Sequence, residues 1–429
     1  MRMRAGVAAL IAGAVMLALP AAASAQGVDT TCQFALTRLD ATTTNVLAVD
    51  TNAVYWGGTY AALPGTRIRI EGEYPHSRYI SWNVYDAAAR PIDALSDVQL
   101  SPDPGSTNPF LPGADRNATE RSYTAFIELG AKPAQPAPNT LYTGDSRGGT
   151  FLYRVYVPDS GRDQKGGVPL PRVTLEQADG SGAPLSADQC RELQAPYAQP
   201  LNDLIAGAPG LPDPTDDGEG YPGRNPPDWR LFRNLCTSAV DILLDNENGE
   251  AFHEDAYSRC GDGPGFLSNR DIAYVFAPTS RGFGELLVLR GRAPTFADTR
   301  PAPAVMPSGR QLRYWSFCQY EPATQRVIDC RSDDRVGVGP DGRYTLVVST
   351  AENRPASARP ECGVTWLAWG PQTQGLLIYR HMLADPSFAQ AIQNVPEPGA
   401  ELDTMGDYYP SGEYLAGPGE FKAKGCRRG

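Results

Sequence analysis

Histidine is nearly absent from this chain: His76, His253 and His381 are the only three among 429 residues. They sit in separate segments with no i, i+4 spacing, so no helix presents a histidine pair to a metal. No C-x-x-C pair occurs, which argues against a zinc ribbon or a thioredoxin-like redox centre. Beyond the N-terminus no apolar run approaches the roughly 20 residues of a spanning helix. A basic stripe is lacking too. With 38 Lys and Arg against 49 Asp and Glu the formal net charge is -11, and nucleic acid is excluded as a partner. No cofactor fingerprint is found. Gly144-Asp145-Ser146-Arg147-Gly148 spells the G-x-S-x-G of serine hydrolases, but that motif needs a helix after its turn. The strand-like TFLYRVYV follows instead, so a glycine-rich turn is expected.

The first residues form a secretory leader. Arg2 and Arg4 make a basic start, Ala5 to Leu19 is apolar, and Ala23-Ser24-Ala25 is a small-residue cleavage site. The expectation is residues 1–25 as signal peptide and an exported mature chain from Gln26. All eight cysteines (Cys32, Cys190, Cys236, Cys260, Cys318, Cys330, Cys362 and Cys426) lie in that mature part, as expected for disulfides in an oxidising compartment. Pairing by proximity gives Cys32–Cys190, Cys236–Cys260, Cys318–Cys330 and Cys362–Cys426, one of about 105 connectivities. Cys318–Cys330 stands out because the segment between them reads as a hairpin.

What is present is a repeat. Arg78-Tyr79-Ile80-Ser81-Trp82-Asn83-Val84-Tyr85-Asp86 returns as Arg313-Tyr314-Trp315-Ser316-Phe317-Cys318-Gln319-Tyr320-Glu321. Tyr55 and Gly72 recur as Tyr274 and Gly291, Pro75 as Pro294, Tyr123-Thr124 as Tyr344-Thr345, and Tyr153-Arg154 as Tyr379-Arg380. The copies are far longer than a solenoid repeat, so this is domain duplication. In RYISWNVYD, Ile80, Trp82 and Val84 alternate with Tyr79, Ser81, Asn83 and Tyr85, giving one apolar and one amphipathic face of a strand. With further short strands at regular spacing, the fold class is mainly β: two tandem β-sandwiches of jelly-roll type with a few short helices. The first sandwich spans 26–205, a Pro/Gly/acid linker 206–227, and the second sandwich 228–429 with a leading helix. Helical spacing is read at Ser186–Ile205, Asp228–Leu244 and Asp385–Val395.

The segments RGRAPTFADT, RYWSFCQYE, DGRYTLVVSTAENRP, VTWLAWGP, LLIYRHML and AIQNVPEPG resemble a group of exported actinobacterial proteins without assigned function. The second half is also distantly similar to a bacterial domain of unknown function with a W-S-x-x-x-Y-D strand and an N-W-L-P loop. Here Thr365 and Ala368 replace the Asn and Pro of that loop. The resemblance implies a β-sandwich and carries no catalytic residue over.

Two sets of residues could carry chemistry. Arg78, Arg154, Arg313 and Arg380 lie on or at the start of apolar strands in both copies. Such arginines pair with buried carboxylates, for example Asp86 or Glu321, or fork onto a ligand carboxylate or sugar. With Tyr85, Tyr320 and Trp366 they are the expected ligand-binding residues. Acidic turns form the second set. Asp97, Asp103 and Ser106 in one copy, and Asp329, Asp333, Asp334 and Asp341 in the other, are hard oxygen ligands suited to calcium, with Asp333, Asp334 and Asp341 the candidates. The leading functional expectation is a secreted non-catalytic binding protein for a glycan or small anionic molecule. The alternatives are a hydrolase or lyase using paired carboxylates, such as Glu71 or Glu73 with Asp86, and a structural surface protein.

Overall fold

The computed structural model describes residues 34–180, 223–234 and 267–422, except 35, 37, 62–64 and 323, together with 188 and 202–203. The leader, Cys32, Cys190, Cys236, Cys260, Cys426, His253 and most of the linker lie outside the described residues, as does the expected Ser186–Ile205 helix except at 188 and 202–203, which are helical. Among the described residues no helix is long and apolar enough to cross a membrane.

The first half builds β1 (Ala53–Ala61), β2 (Thr66–Glu73), β3 (Ser77–Asp86), β4 (Pro91–Ser96), β5 (Ser122–Glu128), β6 (Thr140–Tyr142), β7 (Gly148–Pro158) and β8 (Arg172–Gln177). They form two sheets, ordered β1-β7-β3-β4 and β6-β5-β2-β8. After the short β9 (Arg230–Leu231), the second half repeats the set as β10 (Ile272–Ser280), β11 (Leu286–Arg292), β12 (Tyr314–Tyr320), β13 (Val327–Ser332), β14 (Arg343–Ser349), β15 (Thr365–Ala368), β16 (Gln374–Met382) and β17 (Ser411–Leu415). Its sheets are β13-β12-β16-β10-β9 and β15-β14-β11-β17. The order is that of the first half with β9 added at one edge. Even the exceptions repeat. β5 and β6 pair in parallel, as do β14 and β15, and the register slips between Val84 and Tyr85 as between Gln319 and Tyr320.

Each pair of sheets closes over its own apolar core, as the alternating pattern predicts. Ile80, Trp82 and Val84 meet Tyr123, Ala125 and Ile127 in the first half. Trp315 and Phe317 meet Tyr344, Leu346 and Val348 in the second. The shared glycines have a shared cause. A Cβ on Gly72 would lie 2.8 Å from the Tyr123 ring, and one on Gly291 2.5 Å from the Tyr344 hydroxyl, so in each half a tyrosine lies flat over a bare strand position.

Two helices expected from spacing, at Asp228–Leu244 and Asp385–Val395, are not formed where the described residues reach them; residues 235–244 lie outside those residues. Residues 228–234 enter an edge strand: Trp229 faces the second core while Phe232 packs on the opposite side against Tyr274. Three residues apart on opposite faces is strand geometry, and the Trp229 indole anchors it by donating to the Pro410 carbonyl at 2.8 Å. Residues 385–395 form turns ending in a 3-10 turn at Ile392–Asn394. The Asp385 carboxylate takes the Ser387 N–H and hydroxyl, and the Asn394 amide donates to the Phe388 carbonyl. These local bonds compete with the helical ladder. The expected Cys318–Cys330 disulfide joins directly opposed residues of β12 and β13, with Cα atoms 4.1 Å apart. Cys362 is disulfide-bonded as well.

Candidate functional site at the seam of the two sandwiches

β3, β7, β12 and β16 are buried on both faces almost throughout. Their second, tyrosine-rich face does not meet solvent: each sandwich covers the outer sheet face of the other, and the contacts are reciprocal.

Ion pairs come first. Arg78 donates to the Asp333 carboxylate of the second half, and Arg313 to Asp97 of the first at 3.2 Å. Each aspartate also accepts a backbone N–H within its own half, Asp97 from Ile80 and Asp333 from Trp315, both at 3.0 Å. Asp97 and Asp333 open equivalent 3-10 turns after β4 and β13. Burial pushes both carboxyls up to about 6 despite the neighbouring guanidinium, so both are ionised at neutral pH. The partners expected from sequence were Asp86 and Glu321. Asp86 instead holds Arg90, and Glu321 accepts from Thr324.

Tyrosine hydroxyls cross the seam next. Tyr314 donates to Asp50 at 2.8 Å, and Tyr79 to Asp271 at 2.5 Å. Asp50-Thr51-Asn52 and Asn269-Arg270-Asp271 are equivalent turns with acid and amide exchanged. Third, Arg154 donates through Nη2 to the Leu267 carbonyl and Arg380 to the Ala48 carbonyl, both at 2.7 Å. Tyr85 and Tyr320 donate to the following carbonyls, of Ser268 and Val49, both at 2.9 Å. Leu267 (φ 47°) and Ala48 (φ 55°) are both left-handed, a conformation rare away from glycine that persists where surroundings hold it.

Six of the seven predicted ligand residues therefore meet at one seam. Arg154 lies over the Tyr55 and Tyr85 rings and Arg380 over those of Tyr274 and Tyr320, at 5.3–5.6 Å, within cation–π range. Both arginines are more than nine-tenths buried. On each, Nη1 has no hydrogen-bond partner. Trp366 is elsewhere, on β15, with its indole donating to Ser349 and Arg354 over its ring.

The other candidates are accounted for by local bonds. Asp334 pairs with Arg300, and Asp341 accepts the Arg343 N–H within its own turn. Asp333, Asp334 and Asp341 do not gather as a cation site. Among the described residues one group, Asp50, Cys318 and Cys330, has metal-ligand geometry, and both its sulfurs are in the disulfide. Glu71 is held by Arg69 and Arg172 on β2, in the sheet opposite the one that carries Asp86. Ser146 turns its hydroxyl onto the Gly148 carbonyl at the start of β7, as a turn residue does. His381 lies in the second core, accepting the Ile392 N–H at Nδ1, and burial lowers its pKa to about 3. Asp50 and Asp271 escaped sequence reasoning. Their signal was their place just ahead of the matched Tyr55 and Tyr274.

The sequence matches no family model and is similar to no curated protein. Among solved structures the fold is similar to an uncharacterized protein from Burkholderia cenocepacia, at 14% identity and TM-score 0.44, covering 80% of this chain and 76% of that one. It is also similar to a Vibrio parahaemolyticus protein at 11% identity and TM-score 0.39, covering 86% and 90%.

Proposed function

We propose that this is an exported, non-catalytic binding protein that takes a small anionic molecule at the seam, between Arg154 and Arg380. One observation carries the reading: two guanidiniums, buried from opposite halves, each keep a donor nitrogen without a partner. A buried cation lacking a bonded counter-charge is costly, and an anion spanning both would offset that cost. The anion is favoured over a neutral glycan because the seam tyrosines already pack on one another. Tyr156 contacts Tyr55, Tyr79 and Tyr314 at centroid distances of 5.7–5.9 Å, so these rings are engaged in packing rather than presented to a sugar. Export rests on the leader, and the resemblance to exported actinobacterial proteins agrees with it.

The test is a thermal-shift and calorimetric screen of the oxidised mature protein against carboxylates, phosphate, sulfate and uronic-acid or neutral oligosaccharides. A ligand at 100 times its Kd raises stability by about 2.7 kcal/mol. Carboxylates should produce such a shift, and Arg154→Met or Arg380→Met should abolish it. A shift from neutral sugars alone, or a carboxylate shift that survives both substitutions, refutes the assignment. No shift with any compound leaves the seam as a scaffold.

A further inference from the structure

A second cationic cluster lies at the rim of the first sandwich, apart from the seam arginines. The segment Asp159–Gly167 leaves β7 and folds back onto His76, whose N–H donates to the Gly166 carbonyl at 2.9 Å while its own carbonyl accepts from Asp159 at 3.0 Å. Gly166 is left-handed (φ 72°), and a Cβ there would sit 2.6 Å from Pro75, so only glycine lets the segment dock. The charge of Arg162, on this segment, acts on His76, Arg121 and Asp159.

These charges do not cancel within the cluster. Asp159 is its buried acid, and Arg116 occupies both its oxygens at 2.6 Å. Arg121 is 5% exposed. Its one short bond is from Nη1 to Nε2 of His76 at 2.6 Å, and the same nitrogen lies 3.3 Å from Nδ1; its bonds to the Arg116 and Pro75 carbonyls are 3.4 and 3.5 Å, and its Nε has no partner. The shorter contact at Nε2 makes that nitrogen the acceptor and favours the imidazole proton on Nδ1. Burial, then Arg121 and Arg162, holds His76 down at about 4, and burial with Arg116 lowers Arg121 to about 10. Glu73, exposed on the neighbouring strand, is the other acid acting on Arg121. Three guanidiniums therefore act on one carboxylate that Arg116 already saturates, with Arg162 exposed at the surface. Among the described residues the second half has no counterpart to Arg121, since Gly342 stands at the equivalent position.

We propose that Arg121, Arg162 and His76 form an oxyanion site that takes a sulfate or phosphate group. Planar guanidinium donors and a neutral imidazole N–H match the several acceptor oxygens of such a group. The site stands independently of the seam reading.

NMR of the mature protein at neutral pH tests it, with inorganic sulfate or phosphate added against chloride of equal ionic strength. The Arg121 and Arg162 Nε–H and the His76 ring signals should shift saturably with sulfate and phosphate. Arg162→Gln should weaken the apparent affinity about tenfold, the loss of about 1.4 kcal/mol, and Arg154→Met should leave it intact. A non-saturating response equal to that of chloride overturns the proposal, as does saturation unchanged in Arg162→Gln. Loss of the response in Arg154→Met alone would assign the anion to the seam and overturn it too.

Discussion

Arg78→Met should lower the unfolding free energy by about 3–5 kcal/mol at neutral pH, because it leaves a buried carboxylate without its cation. Arg78 is fully buried and bonds across the seam to Asp333, with Asp298 a second acceptor at 3.1 Å. Methionine keeps most of the apolar stem, so the loss reports charge rather than volume. The deficit should also depend on pH. The Asp333 carboxyl is already raised to about 6 with the arginine present, and removing the cation raises it further. A group whose folded pKa exceeds its unfolded value contributes stability below the unfolded pKa and loses it as pH rises through the folded one. The deficit of Arg78→Met should therefore shrink between about pH 8 and pH 5 as Asp333 takes up a proton. Urea unfolding across that range measures it. A deficit independent of pH would show that Asp333 is not the group left unpaired.

His381→Val should flatten the acid side of the stability profile. Position 381 pairs with Trp315 as Val155 pairs with Ile80, so valine is the residue the first half uses there. The imidazole is fully buried, its Nε2 has no partner, and its pKa falls from 6.5 to about 3. A depressed folded pKa gives stability that is present above the unfolded value and lost as pH falls through the folded one. From about pH 7 to pH 4 the native protein should lose about 3 kcal/mol through this residue. The valine variant lacks that component. It should start lower at neutral pH, where the Ile392 N–H loses its acceptor, and then fall less steeply. Parallel profiles for the two proteins would place the acid sensitivity elsewhere.

Much of this architecture is legible in the chain. Duplicated Tyr, Trp and Gly positions place equivalent strands, and alternation in RYISWNVYD assigns Ile80, Trp82 and Val84 to a core. Both follow from local rules: strand pleat alternates side chains, and a repeated pattern folds to a repeated sheet. The helices expected at 228–244 and 385–395 failed where the described residues reach them. Periodicity alone does not tell a helix from a strand edge with Trp229 on one face and Phe232 on the other. Nor does it weigh the local bonds of Asp385.

The sequence by itself determined that the chain is a duplicated β protein, and it singled out Arg78, Arg154, Arg313 and Arg380 with Tyr85 and Tyr320. Tertiary structure decided what those residues do. The amphipathic face of Tyr79, Ser81, Asn83 and Tyr85 resembles a solvated one because it is polar, yet it is buried against its counterpart from the other half. The hydroxyls and guanidiniums of the seam bond to carbonyls and carboxylates more than a hundred residues away. No local pattern encodes such partners. They arise from the near-twofold way two copies of one fold meet, and that meeting leaves Arg154 and Arg380 each with a free nitrogen.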